Sequence, residues 1–516
     1  MFGHGQIEGF TEKYGMEYTK AYKDEKPSQY LVDRHWREIF PLMKKRYLFS
    51  GVENFLFYDL WQDGVVNENV FAYSNGCGGE RTFVVYNNKY DRAYGWIKQS
   101  DPYAVKTGNG EETNLVSRSI SEGLNLNAED DKYCIFRENR SNLWFIRKSS
   151  EICEKGLFVM LNGFEYQVYM DIHQVTDEAD HRYKILCEHL NGAGCEDIEA
   201  AWQEIIYKDL YAAMENYAKA VLPPLVQAFT NPKEPKVKAA DITKLLKAAE
   251  KQALAFETEC EKVEKASEGT FKEKTTKAAK TKAKAKSTAK TDTKKAACTL
   301  SKDVQQFIKL LIQVHNAKAG KKPADLQKAI ANAKEAPVLI KLMETADPNL
   351  ETVLICRALS GKYATSGLAD FLNFGRKFSQ FIKTYTDIDK NLRVDLTRLF
   401  LLARVSDVAK ISTPAGRRIA AARITELLVI SKHRRFLSGA NTFDNIVWFN
   451  KEITDYSLNL IELLMMMNVK SADLENVLKL FKDLRAAKLK AAYKCELFAK
   501  AYALRQAQEP RAKKKK

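Results

Sequence analysis

The sequence predicts an α+β multidomain chain, with an antiparallel β-domain near its start and a mostly α-helical region behind it. Three observations carry this. From Val52 to about Val175, short aromatic and β-branched runs alternate with Gly, Asn and Asp turns, the pattern of half-buried strands. From Glu178 onward, apolar residues recur at three- and four-residue intervals, the spacing of one helix face. Between two such helical stretches lies "FKEKTTKAAKTKAKAKSTAKTDTKKAA" (271–297), which holds ten lysines against Glu273 and Asp292. A Lys/Ala/Thr run of this kind has too little apolar surface to offset the entropy of ordering it.

Residues 1–50 open on the loop "MFGHGQIEGFTEKYG", where Gly3, Gly5 and Gly9 permit sharp turns and His4, Gln6 and Glu8 offer donors and acceptors. Residues 27–50 are expected to form one amphipathic helix, with Pro27 in its first turn, Gly51 past its end, and Leu31, Trp36, Ile39, Phe40 and Met43 as its buried stripe. Residues 51–176 hold the β-domain of roughly six to eight strands. Its runs are "NFLFYDLW", "NVFAYSN", "RTFVVYNN", "KYCIFREN", "NLWFIRKS" and "GFEYQVYMDIHQV", with "NGCGGE" (Asn75–Glu80) as a hairpin loop. A helical segment comes next over 177–265, broken at Pro223 and Pro224, then the lysine-rich linker at 266–297, expected to be disordered. A helical domain at 298–505 and a basic tail at 506–516 complete the chain. Trp61, Trp96 and Trp144 could stack on sugar rings, although strand tryptophans more often belong to a core.

Composition narrows the classes. The 516 residues suffice for roughly three domains, and 45% apolar content allows sizeable cores. Nine cysteines stand singly without a CxxC pair, as expected of packed thiols in a reducing compartment. No stretch reaches the roughly 18 apolar residues of a membrane span. "LIELLMMMNV" is interrupted by Glu462, and no secretory leader pattern is present, so a cytoplasmic location without membrane contact is expected. The net charge is +16, of which residues 271–297 supply +8 and residues 505–516 supply +5. These runs are expected to be solvated; an electrostatic contact with RNA, DNA or an anionic surface is the alternative. Nucleic acid is not the expected partner, because the lysine-rich run lacks aromatics on which bases could stack.

Several chemistries lack their motifs. HExxH, GxxxxGK[ST] and GxSxG are absent, and "KTG" at Lys106–Gly108 stands in a turn. His173, His181, Cys187, His189 and Cys195 lack the tight pairs of zinc sites, so no metal and no cofactor is assigned.

The opening segment "MFGHGQIEGFTEKYGMEY" resembles the stretch after the eighth barrel strand of α-amylase-family glycoside hydrolases, where a "YGQE"-type sequence succeeds a Gly-x-Pro strand end. "HWREIFPL", "LFSGVENFLFYD" and "NVFAYSNGCGGERTFVVYNN" are similar to the next segments in a subgroup of large multidomain bacterial members. Far downstream, "RRFLSGANTFDNIVWFNKE" (Arg434–Glu452) resembles a segment of their helical C-terminal part.

The resemblance implies that residues 1–50 are the remnant of a (β/α)8 barrel end and that 51–176 is an amylase C-terminal-type β-domain. The family mechanism uses a carboxylate nucleophile and a carboxylic acid/base about 5–5.5 Å apart, with a further aspartate, on strands of a barrel of about 250 residues. No positions of this chain align with those carboxylates. Glu8 and Glu12, four residues apart on one loop, cannot take their place. The resemblance makes Gln6 and Glu8 rim residues and His4 a candidate sugar hydrogen-bonder; turn formation and helix capping explain all three equally well. No catalytic residue is therefore assigned. The expectation is the C-terminal, non-catalytic part of an α-amylase-like hydrolase or glucanotransferase, inactive alone and acting on α-glucan when completed by a separate N-terminal barrel fragment. A non-enzymatic carbohydrate- or protein-binding or assembly protein is the alternative. Without a barrel, the helix at 27–50 should expose an apolar stripe.

Overall fold

The computed structural model describes residues 3, 5–11, 23–108, 112–230, 238–275, 348–364, 367–383, 392–406, 411–469 and 473–502. His4, residues 276–297 of the lysine-rich segment, residues 298–347 of the helical region and the basic tail at 506–516 lie outside them. The chain divides into two compact units, Met1–Ile206 and Tyr207–Lys516. The boundary falls within the segment 177–265 that the sequence groups together. The architecture is α+β: an antiparallel, curled β-sheet region precedes a mostly helical one.

In the first unit, each of the six runs expected to be strands forms one. They are β1 (Leu56–Gln62), β3 (Val70–Cys77), β4 (Glu80–Asn87), β8 (Lys132–Glu138), β9 (Trp144–Lys148) and β11 (Tyr166–Thr176). β2 (Val65–Val66), β5 (Ala93–Ser100) and β10 (Leu157–Leu161) join them in a nine-stranded sheet ordered β10-β5-β1-β3-β4-β11-β8-β9, with β2 on β1. A separate hairpin pairs β6 (Tyr103–Lys106) with β7 (Thr113–Val116). Gly78 and Gly79 close the β3–β4 hairpin, where Cys77 pairs with Glu80.

Period-2 alternation sends Leu56, Tyr58 and Leu60 of β1, Val70 and Ala72 of β3, Phe83 and Val85 of β4 and Val159 and Leu161 of β10 into one core. The short helix α3 (Ile120–Gly123), capped reciprocally by Ser119 and Glu122, packs Ile120 into it. Helix α4 (Ser149–Lys155) adds Ile152. Farther along the sheet, Tyr133, Ile135 and Ile146 of β8 and β9 form a second, smaller core with Leu186 of α5 (Arg182–Leu190). Ile198, in α6 (Ile198–Ile206), packs against it.

Among the described residues, the helical unit is built around one continuous core. It contains α7 (Lys208–Thr230), α8 (Ala239–Ala248) and α9 (Glu250–Thr275), so the helix continues to Thr275, ten residues past the expected end at 265. Pro223 and Pro224 lie inside α7 rather than ending it. Phe256, Tyr363, Phe374, Phe378 and Phe400 are fully buried there. The segment Arg434–Glu452 forms a short helix, α10 (Arg434–Ser438), then a hairpin of β12 (Asn441–Phe443) and β13 (Ile446–Trp448). Asp444 and Asn445 supply the two positive-φ residues that a tight hairpin turn requires. Asn450 then caps α11 (Lys451–Asn468), accepting from the Ile453 N–H at 3.0 Å. Glu462, which interrupts the greasy stretch of that helix, is buried and paired with Arg485. Among the described residues no helix is long and apolar enough to cross a membrane.

The β-domain core contains a tight polar contact that yields a test. The buried Tyr58 hydroxyl lies 2.7 Å from Ser74 Oγ, and burial pushes its pKa up to about 12. A Cβ at Gly123 would stand 2.0 Å from that hydroxyl. Gly123→Ala should therefore destabilise the unit by about 2 kcal/mol or more, and less in a Tyr58→Phe background where the oxygen is gone. Urea unfolding of the single and double variants measures the difference.

Candidate functional site

The opening loop and the helix after it carry the residues to which the sequence attaches function. Gly5 and Gly9 both have positive φ (68° and 78°), so the loop needs glycine at these positions. The Gln6 carboxamide oxygen accepts from the Gly3 N–H at 3.0 Å, and the Phe10 N–H donates to the Gly5 carbonyl at 2.8 Å. Gln6 thus closes a turn, while the Glu8 carbonyl accepts from the Ser28 N–H at 2.8 Å and ties the loop to the start of the helix. Among the described residues, no group of three or more His, Cys, Asp or Glu side chains is arranged to hold a metal.

The expected single helix at 27–50 is shorter and irregular. α1 (Gln29–Arg34) passes through a π-helical turn (His35–Ile39) into α2 (Phe40–Lys44), and a 3-10 turn (Arg46–Leu48) ends it. Pro41 is the physical cause. It has no N–H to offer and its ring crowds the carbonyl four residues back, so the preceding turn widens.

The widened turn carries the one buried residue of α1–α2, and it is a glutamate. Glu38 is 5% exposed. Its carboxylate accepts from Arg37 at 2.8 Å, from the Tyr166 hydroxyl at 2.8 Å and from Arg34 at 3.1 Å. Its backbone carbonyl accepts from Asn139 Nδ2 at 2.7 Å. Burial alone would raise its pKa, but hydrogen bonds from Arg37, Tyr166 and Arg34 outweigh it and hold the group at about 2.

A second anchor lies one strand-turn away. A β-bulge in β11 puts Asp171 at φ 55°, and its carboxylate bridges Lys45 (2.6 Å) and Arg137 (2.7 Å). Burial works against ionisation of Asp171, and hydrogen bonds from Lys45 and Arg137 overcome it, leaving the pKa below its usual value. Because Tyr166, Val168 and Met170 alternate onto the face that Glu38 reaches, α1–α2 covers the outer face of β11, where Val168 and Met170 are buried.

The helix is therefore held by polar contacts on its sheet-facing side, and its expected apolar stripe is not buried. Trp36 is 62% and Met43 50% exposed, with Tyr30 and Tyr47 also open, while Leu31, Ile39 and Phe40 are only half-covered. Trp36 rests edge-on against Phe40 at 5.1 Å. Sequence periodicity found the stripe but not the side that meets the sheet, because Glu38 gives no apolar signal. The strand tryptophans also depart from the core expectation. Trp61 and Trp96 are exposed, and Trp144 is half-buried beneath Arg137.

Comparison with protein families, with curated proteins and with solved structures finds no match for this chain.

The Glu38 anchor gives a pH signature. Its folded pKa is depressed from 4.5 to about 2, so its contribution is complete above pH 4.5 and is lost as pH falls toward 2. Glu38→Gln should cost about 2 kcal/mol at pH 7, and the gap from the parent protein should shrink through that acid window. Urea midpoints at a series of pH values give both numbers; a gap that does not change with pH would contradict the assignment.

Proposed function

We propose that this chain is the C-terminal, non-catalytic part of an α-amylase-like glycoside hydrolase or glucanotransferase acting on α-glucans, and that it supports a catalytic barrel without carrying the chemistry. The observation behind this reading is the direction in which α1–α2 faces. A buried, triply hydrogen-bonded carboxylate fixes one side of the helix to the sheet, and the side bearing Tyr30, Trp36 and Met43 is left open. A helix anchored in this way suits a layer between two others. Each large apolar side chain covered by a docked domain would contribute about 1.5–3 kcal/mol. The likeness of the segments at 1–18, 35–42, 48–59 and 69–88 to the end of the family's barrel and the start of its β-domain supports a barrel as the domain that would cover it.

On this reading, Gln6 belongs to the turn that delivers the chain into the helix, and its carboxamide is engaged with Gly3. The alternative, a carbohydrate- or protein-binding role without a catalytic partner, is favoured by exposed aromatics elsewhere on the sheet.

The purified chain should release no reducing sugar from soluble starch. Co-expressed with a barrel fragment from the same genome, it should form a stable complex with starch-degrading or glucan-transferring activity. Replacing Trp36 and Met43 together by Ser should weaken that complex by roughly tenfold or more. Starch turnover by the chain alone, or a complex indifferent to the double substitution, would overturn the reading.

A further inference from the structure

The other half of the sheet carries a second arrangement, independent of the helix. Trp61 of β1 pairs with Trp96 of β5, and Trp96 pairs with Phe158 of β10. Directly paired residues point to the same face, so these three aromatics form a row across three adjacent strands, spanning about 10 Å at the usual strand spacing. The row is half-open to solvent, with Trp61 48%, Trp96 39% and Phe158 50% exposed. Trp96 and Phe158 meet edge to face at 5.4 Å. Tyr94 and Met160, paired with each other, extend the same face by one step.

The backbone is built for this row. A bulge in β5 shifts the register between the Tyr58–Ser100 and Leu60–Ile97 pairs, which sends Leu60 and Ile97 inward and leaves Trp61 opposite Trp96. A Cβ at Gly95 would lie 2.1 Å from the Trp61 carbonyl oxygen, so only glycine permits this approach. Trp96 and Phe158, at the β10 end of the row, also contribute to the lining of a cavity of about 370 Å³, together with Phe145, Arg147, Glu151 and Tyr169. Arg147 is held in place: it donates to the Ile146 and Gly192 carbonyls at 2.9 and 2.8 Å and lies over the rings of Phe136 and Phe145.

Charges of both signs surround the row. Asp59 shares its face, two residues before Trp61 on β1, and interacts with Asp101. The Tyr94 hydroxyl donates to Asp63 at 2.9 Å. Arg92 reaches the Met160 sulfur, and Arg147 and Glu151 belong to the cavity. This mixture selects the occupant. A polyanion would meet the carboxylates, and an apolar protein surface would strip water from charges it could not pair. A pyranose chain offers C–H faces to the rings and hydroxyls to carboxylates and guanidinium groups alike.

We propose that the row Trp61–Trp96–Phe158 and its adjoining cavity form a binding site for a neutral oligosaccharide. The rings cover successive sugar faces, and Arg147 and Glu151 receive hydroxyls at the cavity end. This goes beyond the supporting role proposed for the helix face, since the site lies within the β-domain and works whether or not a barrel docks.

The test is calorimetric titration of the full chain with maltohexaose and, separately, cellohexaose. Binding with a Kd of about 1 mM or tighter is expected for one of them, and which one binds identifies an α- or β-linked chain. Trp96→Ala and Phe158→Ala, checked for native circular dichroism, should each weaken binding about tenfold, and Arg147→Ala should weaken it as well. Trp36→Ser should leave it unchanged, which separates this site from the helix face. Should the two single substitutions prove unstable, Trp61→Ala at the opposite end of the row provides the same comparison. No binding of either sugar, or binding insensitive to all the row variants, overturns the proposal.

Discussion

The first unit depends on how a charge is kept inside it. Removing a carboxylate from water is costly unless donors replace the water, and Glu38 receives three. Two of those donors come from its own helix and one from β11, so the carboxylate is satisfied only when helix and strand are in a single relative position. Apolar contact alone would let the helix slide or roll. The bond from Asn139 to the Glu38 carbonyl adds a second constraint at the same residue, and the Lys45–Asp171–Arg137 bridge fixes the far end. These polar contacts hold the helix while its tryptophan and methionine face away from the sheet.

Irregularities of the strands matter as much as their regular parts. The β11 bulge turns Asp171 toward Lys45 and returns Ile172 to the inner core, so one extra residue serves both faces. The β5 bulge does the same work on the opposite side of the sheet. There it aligns two tryptophans that a regular ladder would have set out of register. Curling of the sheet brings β10 and β9, its two edges, to line the same cavity, which is why residues far apart in sheet order meet there.

The helical unit obeys a different rule. Its core is continuous and aromatic, with stacked and edge-on contacts among Phe256, Phe374, Phe378 and Phe400. Two ion pairs are buried in it: Glu462 with Arg485, and Lys488 with Asp455. Burial raises the Glu462 pKa and Arg485 opposes the shift, so the pair stays together although ionisation is harder there. The segment Arg434–Glu452 is a helix, a hairpin and a helix cap in succession, so the region expected to be helical also holds a two-stranded hairpin, turned at Asp444 and Asn445.

Local chemistry was legible in the residues alone. Short aromatic and β-branched runs bounded by Gly, Asn and Asp turns mark β1, β3, β4, β8, β9 and β11, because such side chains suit a half-buried pleated surface. β5 and β10 carry a weaker signal. "AYGWIKQS" carries a glycine in mid-strand and "LFVML" shows no polar face, so neither displays the expected alternation. The glycines of the opening loop announced turns, and turns are what Gly5 and Gly9 make. Contacts between distant segments settled the rest. Which side of α1–α2 meets the sheet depends on Glu38, a residue whose burial is tolerable only with a partner on β11. Whether Trp61 and Trp96 face the core or the solvent depends on a bulge and on Gly95, neither of which has a periodic signature. Local pattern specifies elements and their periods; the side that is buried is set by the few polar groups that must find partners across the fold.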